Sequence, residues 1–155
     1  MGLSGKLESE IEIKANASDF FQVFRKQLHE LPKISSDKLH RAQLDQGDWE
    51  NVGSVKHWDY TIEGKKTSLK EKVEAIDDEN KTITYSLFGE EISENYKTLK
   101  STVKVSDKGS SGGGIVKWTF EYEKHKENIT AASPQSYLDF VIKVTQDVDA
   151  HLSKA

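Results

Sequence analysis

Gly47-Asp48-Trp49-Glu50-Asn51-Val52-Gly53-Ser54-Val55-Lys56-His57-Trp58-Asp59-Tyr60-Thr61-Ile62 holds two glycines that bracket a loop, followed by a strict alternation of residue type. Successive side chains of a strand point to opposite faces. Ser54, Lys56, Trp58, Tyr60 and Ile62 therefore share one face, and Val55, His57, Asp59 and Thr61 share the other. The first face carries two neighbouring aromatics and an aliphatic, with a lysine at its loop end. Such a face needs an apolar partner or an apolar ligand.

Outward from this strand the same period recurs. Glu63-Gly64-Lys65-Lys66 reads as a hairpin turn, and Leu69, Glu71, Val73 and Ala75 alternate with Lys70, Lys72 and Glu74 on the return strand. After the turn Asp77-Asp78-Glu79-Asn80, Ile83, Tyr85 and Leu87 share a strand face, and Phe88-Gly89-Glu90-Glu91 reads as another turn. Leu99, Ser101, Val103 and Val105 mark the next strand, and Val116, Trp118, Phe120 and Tyr122 the one after. The run Asp107 to Gly114 between them is rich in glycine and serine, but it feeds a strand. A phosphate cradle feeds a helix, so this run reads as a hairpin turn. Toward the start, Leu7, Ile11 and Ile13 alternate with glutamates and Lys14 in a half-buried first strand. Asn16 or Ser18 can cap a helix carrying Phe20, Phe24, Leu28 and Leu31, which reads as two short helices with a bend, stopped by Pro32. A strand over residues 37–44 completes the set. At the far end, Ser133 caps and Pro134 opens a helix of about 20 residues, on which Tyr137, Val141, Val144, Val148 and Leu152 form one stripe beside Leu138, Ile142 and Thr145.

Strands joined by short turns are antiparallel. The expectation is an α+β fold: a strongly curved, seven-stranded antiparallel sheet gripping one long C-terminal helix, with two short helices between the first two strands, all in a single domain over residues 1–155.

Order and residues together resemble the plant major latex proteins, a branch of the birch-pollen-allergen and class-10 pathogenesis-related superfamily. The pieces that carry the resemblance are Gly47-Asp48-Trp49 with Val52-Gly53-Ser54-Val55, then Trp58-Asp59-Tyr60, Trp118 with Glu121-Tyr122-Glu123-Lys124, and Asp147-Val148-Asp149-Ala150-His151-Leu152. The allergen branch crowds its loop with glycine; this chain keeps Gly47 and Gly53 there, with Trp49 and Glu50 between, as in the latex branch. The resemblance implies a helix-grip fold around a large cavity for sterols, hormones, flavonoids or fatty acids, and an association with defence and stress.

From the residues alone the inward aromatics either fill a core or line a cavity; with the resemblance the expectation is an unfilled interior of several hundred Å³, the usual range for small-molecule sites being about 300–1,000 Å³. The inward aromatics Trp58, Tyr60, Tyr85, Trp118, Phe120 and Tyr122 bring N–H and O–H groups that need partners. Ile83, Leu87 and Leu99 from the strands, and Tyr137, Leu138, Val141, Val144 and Val148 from the long helix, complete the candidate lining. Glu71 stands on an apolar strand face, so it either orients ligand hydroxyls or is sent outward by a bulge. Lys56 could meet an anionic ligand head or a cavity acid, although a strand-end lysine is ordinarily solvated.

Other chemistry finds less support. The chain of 155 residues has a formal net charge of −4, no cysteine and no long block of like charge, so no nucleic-acid footprint is expected. No apolar run reaches the about 18 residues that span a membrane, and Lys6 stands where a myristoylation signal wants Ser or Thr. Of His29, His40, His57, His125 and His151, none pair at metal spacing. No cofactor or metal is expected, and the working picture is a soluble, cytoplasmic monomer that is not an enzyme. The alternative is a cavity enzyme, of condensation or ribonuclease type, using Lys56 and Glu71. The ribonuclease version is weakened by a late Asp149 and His151 where the allergen branch has Glu and Tyr.

Overall fold

Period-two alternation marks most of the seven strands, β2 being the exception, and the computed structural model describes residues 3–109 and 112–153. In chain order these are β1 (Ser4–Ile13), α1 (Ala17–Lys26), a 3₁₀ turn (Leu28–Glu30), α2 (Leu31–Ile34), β2 (Leu39–Gln46), β3 (Val55–Ile62), β4 (Lys65–Asp77), β5 (Thr82–Phe88), α3 (Glu90–Asn95), β6 (Tyr96–Asp107), β7 (Gly114–Lys124) and α4 (Pro134–Ser153). One antiparallel sheet runs in the order β1-β7-β6-β5-β4-β3-β2. Strands β2 to β7 follow one another as neighbours, and β1 returns to lie beside β7.

Local chemistry explains the boundaries. Asn16 caps α1 by accepting from the Asp19 N–H at 2.8 Å. Ser133 does the same for α4, accepting from the Ser136 N–H at 3.1 Å with Pro134 in the first turn. The β3–β4 hairpin turns on Glu63 and Gly64, both with positive φ (53° and 75°), the combination a tight two-residue loop needs.

Three expectations are corrected. Pro32 does not stop a helix: it sits in the first turn of α2, where its missing N–H has no intrahelical role. The segment read as a turn at residues 88–91 opens α3, which starts behind Gly89 at φ 83°. Ala75 is exposed, because the register shifts between Val73 and Ala75 and the extra residue reverses which side chains face inward. The β6–β7 connection is a hairpin, with Asp107 paired to Gly114. Ser110 and Ser111 of that turn, and Met1 and Gly2 of the start, lie outside the described residues.

Helix α4 packs on β1, β7 and β3 and is flanked by α1 and α2. Two of its carboxylates tie its last turns to the rest of the fold. Asp147 accepts from Ser35 Oγ at 2.5 Å and Lys38 Nζ at 2.8 Å. Asp149 accepts the Lys14 N–H at 2.9 Å and the Ala15 N–H at 2.9 Å, closing the β1–α1 corner. Asp149→Ala should lower stability by about 1–2 kcal/mol, because water reaches the freed Lys14 N–H but Ala15 is half-buried. A urea midpoint equal to that of the parent would show that the tie contributes nothing.

Candidate functional site

The concave face of the sheet and α4 do not meet fully; between them lies a cavity of about 90 Å³. Its sheet wall is Trp58 and Tyr60 from β3, Leu69 and Glu71 from β4, and Tyr85 and Leu87 from β5. Ser101 of β6 and Trp118 and Phe120 of β7 continue that wall. The opposite wall is Tyr137, Phe140, Val141 and Val144 of α4, and Phe24, Leu28, Leu31 and Leu39 close the side. The volume is well below the several hundred Å³ expected. Phe24, Leu28 and Leu31 lean into the space left by the sheet, and Phe24 meets Trp118 edge-on with centroids 5.7 Å apart.

Six of the candidate residues are elsewhere. Ile83, Leu99, Leu138 and Val148 are buried in the core and do not reach the cavity wall. Tyr122 lies at the end of the sheet, folded over its cross-strand partner Gly5, where a Cβ would come within 2.4 Å of its Oη. Lys56 is also off the wall. It is not solvated, however: its exposure is 0 %, and its Nζ has no hydrogen-bond partner among the described residues.

The residues missed are Phe24, Leu28, Leu31, Leu39, Leu69, Ser101 and Phe140. Ser101 and Leu69 could have been found, since each shares a strand face with recognised inward residues.

The polar tips of the aromatics are mostly satisfied. Trp118 donates Nε1–H to Thr145 Oγ1 at 2.8 Å, and Trp58 donates to Glu71 Oε1 at 3.1 Å. At the α4 end, the Tyr60 and Tyr137 hydroxyls share a hydrogen bond of 2.7 Å. Burial raises the pKa of both phenols, so they stay neutral. Burial also raises the Glu71 carboxyl, against the pull of Lys56 and the Trp58 hydrogen bond. It lowers Lys56, against the attraction of Glu71 and Asp48. Asp48 itself, in the Gly47–Gly53 loop, is held down to about 2 by hydrogen bonds from the Glu50 N–H and from Asn51. The loop leans on the helical segment, with Trp49 tilted against His29 at 5.5 Å.

The apolar lining, curved sheet and single long helix match a known family. The model of the pathogenesis-related protein Bet v 1 family fits residues 2–155. The chain belongs to that family, on its major latex protein branch. MLP-like protein 43 of Arabidopsis thaliana is 39% identical over 150 residues, covering 97% of this chain and 94% of its own. The crystal structure of ginseng major latex-like protein 151 from Panax ginseng superposes with a TM-score of 0.89 at 35% identity, covering 97% of this chain and 98% of that one. A norcoclaurine synthase from Thalictrum flavum, solved with dopamine and hydroxybenzaldehyde, superposes with a TM-score of 0.81 over 98% of this chain and 89% of its own. At 17% identity that likeness shows the fold alone. Among the described residues no helix is long and apolar enough to cross a membrane.

Proposed function

We propose that the chain binds a small apolar or amphipathic molecule between the sheet and α4, and carries or stores it, in a setting of plant defence or stress. The observation that carries this reading is a cavity walled mainly by aromatic and aliphatic side chains from the strands, the short helical segment and α4, with Glu71, Ser101 and the tyrosine hydroxyls among its few polar groups. That is the usual make-up of a small-molecule site. About 90 Å³ holds roughly three waters, so a larger ligand must part the walls. The compliant wall is the short 3₁₀–α2 segment with Leu28 and Leu31, together with the half-buried Phe140 of α4.

An enzymatic reading has one observation in its favour, the direct pairing of Lys56 with Glu71 across β3 and β4. Lys56 is off the cavity wall and Glu71 Oε1 is held by Trp58, which favours binding over proton transfer.

An environment-sensitive apolar dye tests the reading. It should bind with about micromolar affinity, and Val144→Trp, which puts an indole into the cavity, should abolish that binding while far-UV circular dichroism stays unchanged. Equal dye binding by the parent and the variant would place the dye, and the function, outside the cavity.

A further inference from the structure

The two edges of the sheet differ in chemistry. β1 ends it on one side and β2 on the other, and each has a single strand neighbour. An unpaired edge offers a row of free N–H and C=O groups to any strand that can lie beside it. β1 carries Lys6, Glu8, Glu10 and Glu12 on its exposed face. Laid antiparallel on itself over most of its length, it sets Glu8 against Glu8 or against Glu10, and like charges directly opposite are destabilising. β2 has no such guard. It is exposed over most of its length, and its Leu44, 38 % exposed, is one of the few large apolar side chains that face solvent.

The register of β2 against β3 shows which of its backbone groups are free. The Thr61 N–H donates to the Lys38 carbonyl, so Leu39, opposite Tyr60, turns its own N–H away, onto the Ser35 carbonyl. Alternate residues of β3 face β2 in this way, next Asp59 and His57, which lie opposite Arg41 and Gln43. Ala42 and Leu44 stand opposite Trp58 and Lys56, so their N–H and C=O groups point to the open edge. The side chains sort by the same parity. Ala42 and Leu44 lie on the concave side with Trp58 and Lys56. Arg41 and Gln43 lie on the convex side, and so does Asp45, whose carboxylate meets Lys70 Nζ there at 3.3 Å.

We propose that β2 is a self-association edge: two copies of this chain pair β2 to β2, antiparallel about a two-fold axis at Gln43, and join their sheets into one. In that register each Ala42 meets Leu44 of the second copy, and each such pair closes two backbone hydrogen bonds with the groups that point outward. Leu44 is covered at the same time. On the convex side Arg41 meets Asp45 of the second copy, twice by symmetry, and its guanidinium joins Lys70 around the carboxylate. Sliding the pair by one step sets Arg41 against Gln43 or Gly47 instead and loses both charge pairs. The shifts in register at Leu39/Arg41 and Leu44/Gln46 bound the straight stretch, so the contact is short. A small interface of this kind gives a dissociation constant of about 100 μM. This inference does not rest on the cavity, and it departs from the monomer expected from the sequence.

Sedimentation velocity of the full chain from about 10 μM to about 1 mM tests it. The sedimentation coefficient of the parent should rise from monomer toward dimer, with its midpoint near about 100 μM. Arg41→Glu and Asp45→Lys each set like charges opposite at both symmetry-related pairs, and each alone should weaken association by about tenfold or more. Mixed in equal amounts, the two variants set a new carboxylate against a new ammonium at one pair and keep Arg41 against Asp45 at the other. The mixture should therefore associate within about threefold of the parent. Ala42→Pro provides a test free of charge, since it removes one outward donor and none from the β3 ladder, and it should sediment as a monomer. All three positions lie off the cavity wall, and far-UV circular dichroism should match the parent. A parent that stays monomeric up to about 1 mM would overturn the proposal and leave this edge to a different chain or to solvent. So would variants that associate as the parent does, or a mixture that associates no better than either charge variant alone.

Discussion

Trp118→Ala should destabilise the protein by about 3–5 kcal/mol, a large share of the about 5–15 kcal/mol that holds a domain of this size together. Trp118 is buried where β7 faces α4, with its ring edge-on to Phe24 and its N–H on Thr145 Oγ1. Removing the indole takes away that burial and enlarges the existing cavity, because Trp118 is part of its wall. The rigid sheet on one side and a 20-residue helix on the other leave little room for collapse. Thr145 stays satisfied, since its hydroxyl also donates to the Val141 carbonyl at 2.7 Å, so the loss is one of packing. Trp118→Phe keeps most of the ring and forfeits one hydrogen bond, for about 1 kcal/mol. Urea midpoints of the two variants at unchanged slope would check the ranking. A similar, small loss for both would mean that helices α1 and α4 close on the space, and that the cavity is not held open by this residue.

The strands and their faces were readable because a period of two directly reports which side chains point together. Trp58, Tyr60, Tyr85, Trp118 and Phe120 were assigned inward on that ground, and all five stand on the cavity wall. What failed was local irregularity. The bulge after Val73 turns Ala75 outward, and no residue type announces it. Helix α3 is six residues long with Ile92 its one buried aliphatic, too short to show a period. The closing of the cavity by Phe24, Leu28 and Leu31 depends on how two short helices dock, which spacing along the chain does not encode. Lys56 is different in kind. Its parity put it on the Trp58 face from the start, but the general habit of lysine argued for solvent. Only its register against Glu71, and the absence of a partner for its Nζ, show that the parity was the better guide.

The double variant Lys56→Met/Glu71→Gln should be more stable than the parent by about 1–4 kcal/mol. Lys56 is wholly buried with its ammonium unmet, and methionine fills nearly the same space without charge. Glutamine at 71 still offers the Trp58 N–H an oxygen, so the one hydrogen bond in the patch survives. For a chain of this length, each kcal/mol is worth about 2–4 °C in Tm. The single variant Lys56→Met should behave differently, with a sign fixed by linkage. Burial already raises the Glu71 pKa above 4.5, and Lys56 works to lower it. Without Lys56 it rises further, so the folded state holds a proton that the unfolded state releases. Stability then falls as pH rises from about 4.5 through the folded-state pKa. In the parent, the depressed Lys56 contributes the opposite slope, a penalty present at low pH and lifted as pH rises through its folded-state value. Lys56→Met should therefore lose stability relative to the parent as pH rises above about 4.5, read at one acidic and one neutral pH, and the double variant should show neither contribution. A double variant less stable than the parent at both pH values would mean that the two charges already satisfy each other in the empty protein. A gain would mean that the fold tolerates an unfavourable pair of charges, as expected of residues kept for recognition rather than for folding.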